Sequence, residues 1–308
     1  MAKLKTNHNT SKRPFVGLAL RVFTMFAILS ILFVMFYRMV NNTDTNSQDG
    51  SIIVIPSSPV SSGGVESELI PGNNRSEVVT HQYYTLGYDE QYEQAAWVSY
   101  KLTKANLKIP NVPRADRFKQ DPMVSTQSAA HSDYSRSGYS RGHMAPAGDM
   151  AQNKVSMQES FFMSNMSPQK IPFNGGIWRE LEECVRDWAY KENTLYIVTG
   201  PILNDVTQYI GKKSKVGVPK SHYKVILDID GRDQKGIAFI MENERSSRPI
   251  MDFAVSIDEV ERLTGLDFFS NLLTDLLEDK LEREVDIRAW KVSNKRYQNR
   301  TNSWNNQN

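Results

Sequence analysis

Tyr139-Ser-Arg-Gly-His-Met-Ala-Pro-Ala-Gly-Asp-Met150 is the stretch on which the reading of this chain turns. In an extended backbone, side chains alternate between faces. Tyr139, Arg141 and His143 then share one face, and Ser140, Gly142 and Met144 the other. An arginine and a histidine two residues apart on a strand stand roughly 6.6 Å apart along the chain. That spacing suits a phosphodiester: a fixed cation meets the phosphate charge while a neutral imidazole takes a proton from water. Gly142 between them would let a substrate backbone come close. Alone, the triplet reads more readily as a hairpin edge with a surface arginine and histidine. Residues further along weigh against that.

Downstream, Asn174 to about Lys191 reads as a helix. Asn174 is a favoured N-cap type, and Ile177, Leu181, Cys184, Val185 and Trp188 follow at the 3–4 spacing of an apolar face. Trp178 and Ala189 widen that face, while Arg179, Glu180, Glu183, Arg186 and Asp187 fall opposite. Glu182 lies on the border, two turns from Asn174, where it can reach whatever sits near the helix start.

Strands surround these pieces. Trp97–Leu102 alternates, Thr194–Pro201 is a buried apolar run stopped by Gly-Pro, and His222–Asp228 and Gly236–Met241 are separated by a turn at Asp230-Gly231. Ser256-Ile-Asp-Glu259 fits a capping box opening a helix continued by Val260, Leu263 and Leu266.

Outside residues 81–295 the composition changes. Residues 1–14 hold Lys3, Lys5, Lys12 and Arg13 with no acid. The segment 15–38 is almost wholly apolar, with Arg21 inside it and Arg38 at its end. A helix of about 20 residues spans a bilayer, and the preceding positive charge places the N-terminus in the cytoplasm. No small-x-small cleavage site follows, so the segment is expected to be a signal anchor with the remainder extracytoplasmic, periplasmic or at the cell surface. Residues 39–80 read as a flexible linker and 296–308 as a disordered polar tail.

The 308 residues are 40% hydrophobic, ample for one core. The net charge of +2 is carried by the basic N-terminus; the rest has 33 basic against 35 acidic side chains, so nucleic-acid binding would need a local patch. Cys184 is the single cysteine, which excludes an internal disulfide and a cysteine-built zinc site. No His-Glu-x-x-His is present, which removes the common zinc-protease reading.

Ser140-Arg-Gly-His143, Ser164-Asn-Met-Ser-Pro-Gln169, Asn174-Gly-Gly-Ile-Trp178 and Glu182 form an ordered set. Asn165 is 22 residues past His143, Asn174 nine further on and Glu182 eight beyond that. This set resembles the DNA/RNA non-specific endonucleases, the ββα-metal or His-Me finger nucleases, over roughly residues 83–270. The Ser-Arg-Gly-His-Met-Ala-Pro version is similar to the mitochondrial endonuclease G and exonuclease-G-like branch.

The resemblance implies an α+β fold: a mixed, largely antiparallel sheet flanked by helices, with a ββα metal finger built from the strand at Arg141–His143 and the helix from Asn174. It implies a sequence-non-specific nuclease acting on the backbones of DNA and RNA with Mg²⁺, for which Mn²⁺ is a substitute, leaving 5′-phosphate ends. His143 would be the general base and Asn174 the protein ligand of the ion. Glu182 would hold metal-bound water, Arg141 would neutralise the phosphate and Asn165 would orient the site. Mg²⁺ keeps most of its waters and is completed by substrate phosphate, so one amide ligand is chemically sufficient. A further phosphate-binding arginine is expected at Arg114, with Arg117 the alternative. The family includes homodimers, although nothing in this sequence marks an interface. Where many members carry Asp, this chain carries Ser140, which removes a carboxylate near the metal waters.

Lys212, Lys213, Lys215, Lys220 and Lys224 cluster beyond the helix, as a phosphate-tracking rim or a solvated loop. No aromatic platform accompanies them, so any contact would be to the backbone, without base readout. Two rivals remain at this level: a catalytically weak nucleic-acid-binding or uptake protein on the same fold, and a phosphodiesterase of small molecules.

Overall fold

The computed structural model describes residues 67–306 apart from Arg232. The expected basic tail, signal anchor and most of the linker lie outside the described residues, and no helix among those described is long and apolar enough to cross a membrane.

The strands are β1 (Glu77–Thr80), β2 (Thr85–Asp89), β3 (Gln94–Thr103), β4 (Tyr139–His143), β5 (Met166–Lys170) and β6 (Thr194–Pro201). They continue with β7 (Gln208–Ile210), β8 (Val216–Val218), β9 (Ser221–Asp228), β10 (Lys235–Glu242) and β11 (Ala254–Val255). The helices are α1 (Lys104–Leu107), α2 (Lys154–Ser160), α3 (Arg179–Glu192), α4 (Ile257–Thr264), α5 (Asp275–Arg283) and α6 (Asn294–Asn302). Seven strands form the central sheet in the order β1-β2-β3-β6-β9-β10-β11, every neighbouring pair antiparallel.

Strand alternation sorts two cores onto the two faces of this sheet. Tyr100, Leu102, Ile197, Ile226 and Phe239 point to one face and pack with Ile177, Leu181, Val185 and Trp188 of the α3 region. Trp97, Val198, Tyr223, Val225 and Leu227 point to the other and pack with Ile257 and Val260 of α4 and Leu281 of α5. The α+β class, the antiparallel pairing and the flanking helices all match the expectation.

Beside the sheet, β4 and β5 pair as a two-stranded ribbon, with Arg141 opposite Pro168 and His143 opposite Met166. The chain leaves β5 and enters α3 through a wide π-helical turn at Phe173–Trp178, kinked at Gly176. The result is a ββα arrangement, and it carries the site.

Four expectations need correction. Asn174 is not a helix cap: it sits inside the wide turn, whose own cap is Pro172, and α3 begins at Arg179. Gly142 does not clear space for substrate; a Cβ there would lie 2.0 Å from Gln169 Oε1, so the side chain across the ribbon already occupies that space. The linker ends earlier than 80, because β1 pairs with β2 from Glu77 onward. Finally, the tail beyond 295 is structured: α6 is followed by a 3-10 turn at Trp304–Asn306.

That tail docks on α3 through charge. Arg300 is fully buried and pairs with the buried Glu180, while donating to the carbonyls of Ser246 and, at 2.6 Å, Arg248. Arg296 makes two bonds to Asp187, of 2.6 and 2.7 Å, and one to Glu183. Asn305 Nδ2 donates to Ser246 O at 3.0 Å, and Arg179 lies 4.1 Å over the Trp304 ring. Glu180 is therefore buried, not solvated as its place on the polar arc implied.

Candidate active site

A cavity of about 360 Å³ opens between the ribbon, the wide turn and the first turns of α3. Arg114, Arg141, His143, Asn174, Arg179, Glu182 and Arg186 line it, with the segment Pro146–Gly148 as its floor. The structure thus brings five of the sequence-derived residues to one place: Arg114, Arg141, His143, Asn174 and Glu182.

His143 ends β4, so the strand itself aims it. Its ring meets Phe161 edge-on at 4.9 Å and tilts against Phe118 at 5.9 Å. The same two phenylalanines carry the arginines: Arg141 lies 4.7 Å over Phe118 and Arg114 4.8 Å over Phe161. Phe118 and Phe161 touch at 5.0 Å and act as one aromatic wall that fixes all three groups. Arg117 does not line the cavity, which favours Arg114 as the upstream phosphate-binding candidate.

His143 is 8% exposed, and its Nε2 has no hydrogen-bond partner among the described residues. Burial, and secondarily the Arg114 cation, push its pKa down to about 3, because nothing nearby stabilises a protonated ring. The imidazole is therefore neutral and able to accept a proton.

Asn174 Nδ2 donates to Ser140 Oγ at 3.1 Å, and Ser140 Oγ donates to Gln169 O at 2.8 Å. This relay commits the amide nitrogen and leaves the amide oxygen, a hard donor, for a cation. Ser140 is thus a bracket for Asn174, and its departure from Asp keeps the bracket while removing one negative charge.

Glu182 is half-buried at the cavity wall. Burial raises its carboxyl, against the lowering effect of Arg186 and Lys224. Beneath it, Asp149 accepts from Tyr100 Oη at 2.8 Å and from Arg186 at 2.7 Å. Lys224 is fully buried in β9, its Nζ 5.1 Å over the Trp178 ring and without a hydrogen-bond partner among the described residues.

Asn165 does not line the cavity. It is fully buried, accepts from Ala145 N at 2.8 Å, and donates to Ala145 O at 3.0 Å and Ser160 O at 2.8 Å. It pins the segment after His143 and so positions the histidine without reaching substrate. Lys212, Lys213 and Lys215 are exposed on the β7–β8 loop, where Lys213 N bonds Asp133 at 3.2 Å; they do not line the cavity either. Lys224, grouped with them by sequence, belongs instead to the buried charge cluster.

Sequence reasoning missed Arg186, Asp149, Phe118 and Phe161. Arg186 stands four residues past Glu182, a spacing that places both on one helix side, and Asp149 lies inside the opening motif. The aromatic wall left no local signal, since Phe118 and Phe161 are distant in sequence. A second group, His81, Asp121 and Ser164, is no catalytic triad: His81 and Ser164 both contact the Asp121 carboxylate, at 2.8 and 2.5 Å, in the interior.

A family model described as DNA/RNA non-specific endonuclease matches residues 61–275. Nuclease C1 of Cunninghamella echinulata var. echinulata is 35% identical over 224 residues, covering 68% of this chain and 88% of that protein. The mitochondrial nuclease EXOG of Danio rerio is 33% identical over 216 residues, covering 64% of this chain and 63% of that one. Human mitochondrial endonuclease G is 30% identical, covering 64% and 71% respectively. Among solved structures, the complex of EndoG with EndoGI matches with a TM-score of 0.59 and 34% identity, covering 64% of this chain and 87% of that one. The chain belongs to the DNA/RNA non-specific endonuclease family and is a nuclease.

Proposed function

We propose that this nuclease is a Mg²⁺-dependent phosphodiesterase cutting DNA and RNA without sequence preference. The convergence of Arg114, Arg141, His143, Asn174 and Glu182 on one cavity carries this reading. The donor set fits a hard ion: the amide oxygen of Asn174 would hold it and Glu182 would accept from its waters, with Mn²⁺ able to substitute. When bound, such an ion supplies stabilisation of the charge that develops on the leaving oxygen.

The chain's own residues do the rest. Arg141 and Arg114, held over the aromatic wall, receive the scissile and neighbouring phosphates and bear charge in the transition state. His143 takes the proton of the attacking water as the new P–O bond forms, and the bond to the 3′-oxygen breaks to leave a 5′-phosphate. A phosphate beside Arg114 offsets the cation that depresses His143, so substrate itself strengthens the base. Glu182, under the field of Arg186 and Lys224, presents its acceptor atoms at the cavity. The arginines of the lining supply charge for phosphates, which supports contact to the backbone and not to particular bases.

The test is incubation of the full chain with supercoiled plasmid and with RNA, in Mg²⁺ or in EDTA, beside a His143→Ala variant. Degradation of both polymers by the wild type only, and only with metal, is the expected result. Equal DNA binding by both proteins with no cleavage in any common divalent ion would instead make this a binding member of the family.

We further infer that residues 15–38 anchor the chain in a membrane with the nuclease domain outside the cytoplasm. The support is the apolar run and the four preceding positive charges. A reporter fused after Thr80 should then be active only outside the cytoplasm, and cytoplasmic signal would overturn the topology.

A further inference from the structure

On the opposite face of the central sheet from His143, α4 and α5 pack side by side. Asp258 and Glu261 lie one turn apart on α4, and Glu278 and Glu282 one turn apart on α5. One carboxylate oxygen each from Asp258, Glu261 and Glu282 lies within 4.8 Å of the other two. Asp267, in the loop between the helices, acts electrostatically on the same group.

Proximity of acids is common at surfaces and proves nothing by itself. Here, however, Glu282 is only 6% exposed, and its Oε1 is buried with no hydrogen-bond partner among the described residues. An orphan carboxylate oxygen inside a group of acids is costly, because burial and like charge both oppose its ionised form. The arginines of the two helices offer no relief, since Arg262 is held by Glu259 at 2.6 Å and Arg283 by Asp279. Glu261 has one oxygen committed, to the Phe268 N–H at 2.6 Å, which orients the carboxylate and leaves the other oxygen.

We propose that Asp258, Glu261 and Glu282 form a Ca²⁺ site that clamps α4 to α5. Oxygens facing each other across Ca²⁺ at its usual bond length of about 2.4 Å are about 4.8 Å apart, which accommodates the observed group without closing it up. Mg²⁺ demands a near-ideal octahedron and keeps several of its waters, whereas Ca²⁺ readily accepts a flexible cage of several carboxylates. The exposed edge at Asp258 gives the ion an entry path and room for water ligands. The site is independent of the nuclease chemistry and lies on other elements.

The experiment uses the full-length chain in detergent, stripped with EDTA, with CaCl₂ or MgCl₂ as the probe and thermal melting and titration calorimetry as readouts. Calcium should raise the melting temperature of the wild type and of an Asn174→Ala variant alike. Glu282→Gln and Asp258→Asn each remove a ligand's charge and should weaken calcium binding about tenfold or more, at least the loss seen when a group that only orients a ligand is changed. Glu282→Gln should keep Mg²⁺-dependent DNA cleavage. Asp258 is exposed, so its variant should fold even if the Glu282 variant does not. Absence of a calcium shift at millimolar concentration would overturn the site, as would a shift that survives in both variants. A shift abolished by Asn174→Ala would assign the ion to the nuclease cavity instead, and tighter binding of magnesium would overturn the choice of ion.

Discussion

Replacing Arg300 by Met tests whether the C-terminal helix is part of the working enzyme. The side chain is fully buried and neutralises Glu180, itself 2% exposed. Removing one partner of a buried ion pair leaves an uncompensated charge and costs about 3–5 kcal/mol. In a domain of this size each kcal/mol shifts melting by about 2–4 °C, so Arg300→Met should lower the melting temperature by roughly 6–20 °C. The double variant Glu180→Met/Arg300→Met removes both charges and should recover most of that loss. The effect should also reach the site: a Cβ on Gly176, within the turn that carries Asn174, would lie 2.9 Å from Asn305 Oδ1, so the tail backs that turn. Loosening it should raise the Mg²⁺ concentration needed for half-maximal cleavage while leaving DNA affinity nearly constant. The assays are calorimetric melting and plasmid nicking across a Mg²⁺ series. An Arg300→Met protein that melts within a degree or two of the wild type would refute the docking of the tail.

Three further predictions concern the site and its supports. Glu182→Ala should raise the Mg²⁺ requirement about 10–100-fold, the range for loss of a group that holds a metal's ligands, with a much smaller effect on DNA binding; unchanged metal dependence in a nicking assay would reject its role. Gly142→Ala should cost about 1–3 kcal/mol through overpacking against Gln169, and Gln169→Ala in the same chain should restore stability measured by denaturant unfolding. His222 is fully buried, contacts Ser167 Oγ at 2.9 Å, and is held down to about 3, by burial first and Lys224 second. Its folded pKa is below the unfolded value of about 6.5, so the unfolded chain binds the extra proton and stability falls as pH drops below that value. The raised carboxyls of Glu182, Glu261 and Glu282 act in the opposite sense, so the comparison must be with His222→Gln: the wild type should lose up to about 1.4 kcal/mol more per pH unit below 6.5. Parallel stability–pH curves would contradict this.

Much of the fold was legible because its central strands are short apolar runs ended by Gly-Pro or Asp-Gly, and because the apolar face from Ile177 to Ala189 keeps helical spacing over about three turns. Arg141 and His143 were legible from alternation on one strand, and Glu182 from its place on the helix border. Asn174 was found by motif but placed in the wrong local structure, since residue spacing does not register a backbone kink such as that at Gly176. The C-terminal helix escaped because it docks by Arg296 and Arg300 onto acids of α3, and apolar periodicity has nothing to say about a surface joined by charge. For the same reason Glu180 read as solvated. The aromatic wall of Phe118 and Phe161 joins loops remote in sequence, which only the folded chain brings together.

The lining of the nuclease cavity has four arginines, Arg114, Arg141, Arg179 and Arg186, against two glutamates, Glu182 and Glu183, while Asp149 and Lys224 offset each other beneath. A dication approaching this vestibule alone meets a surplus of its own sign, whereas a polyphosphate chain is drawn in. Nucleic acid and metal should therefore arrive as mutual enhancers, each tightening the other's grip by the same factor. A metal affinity titrated on the bare protein would understate what the enzyme holds while a strand lies in it. On this reasoning the ion should become firmly seated only when there is something to cut.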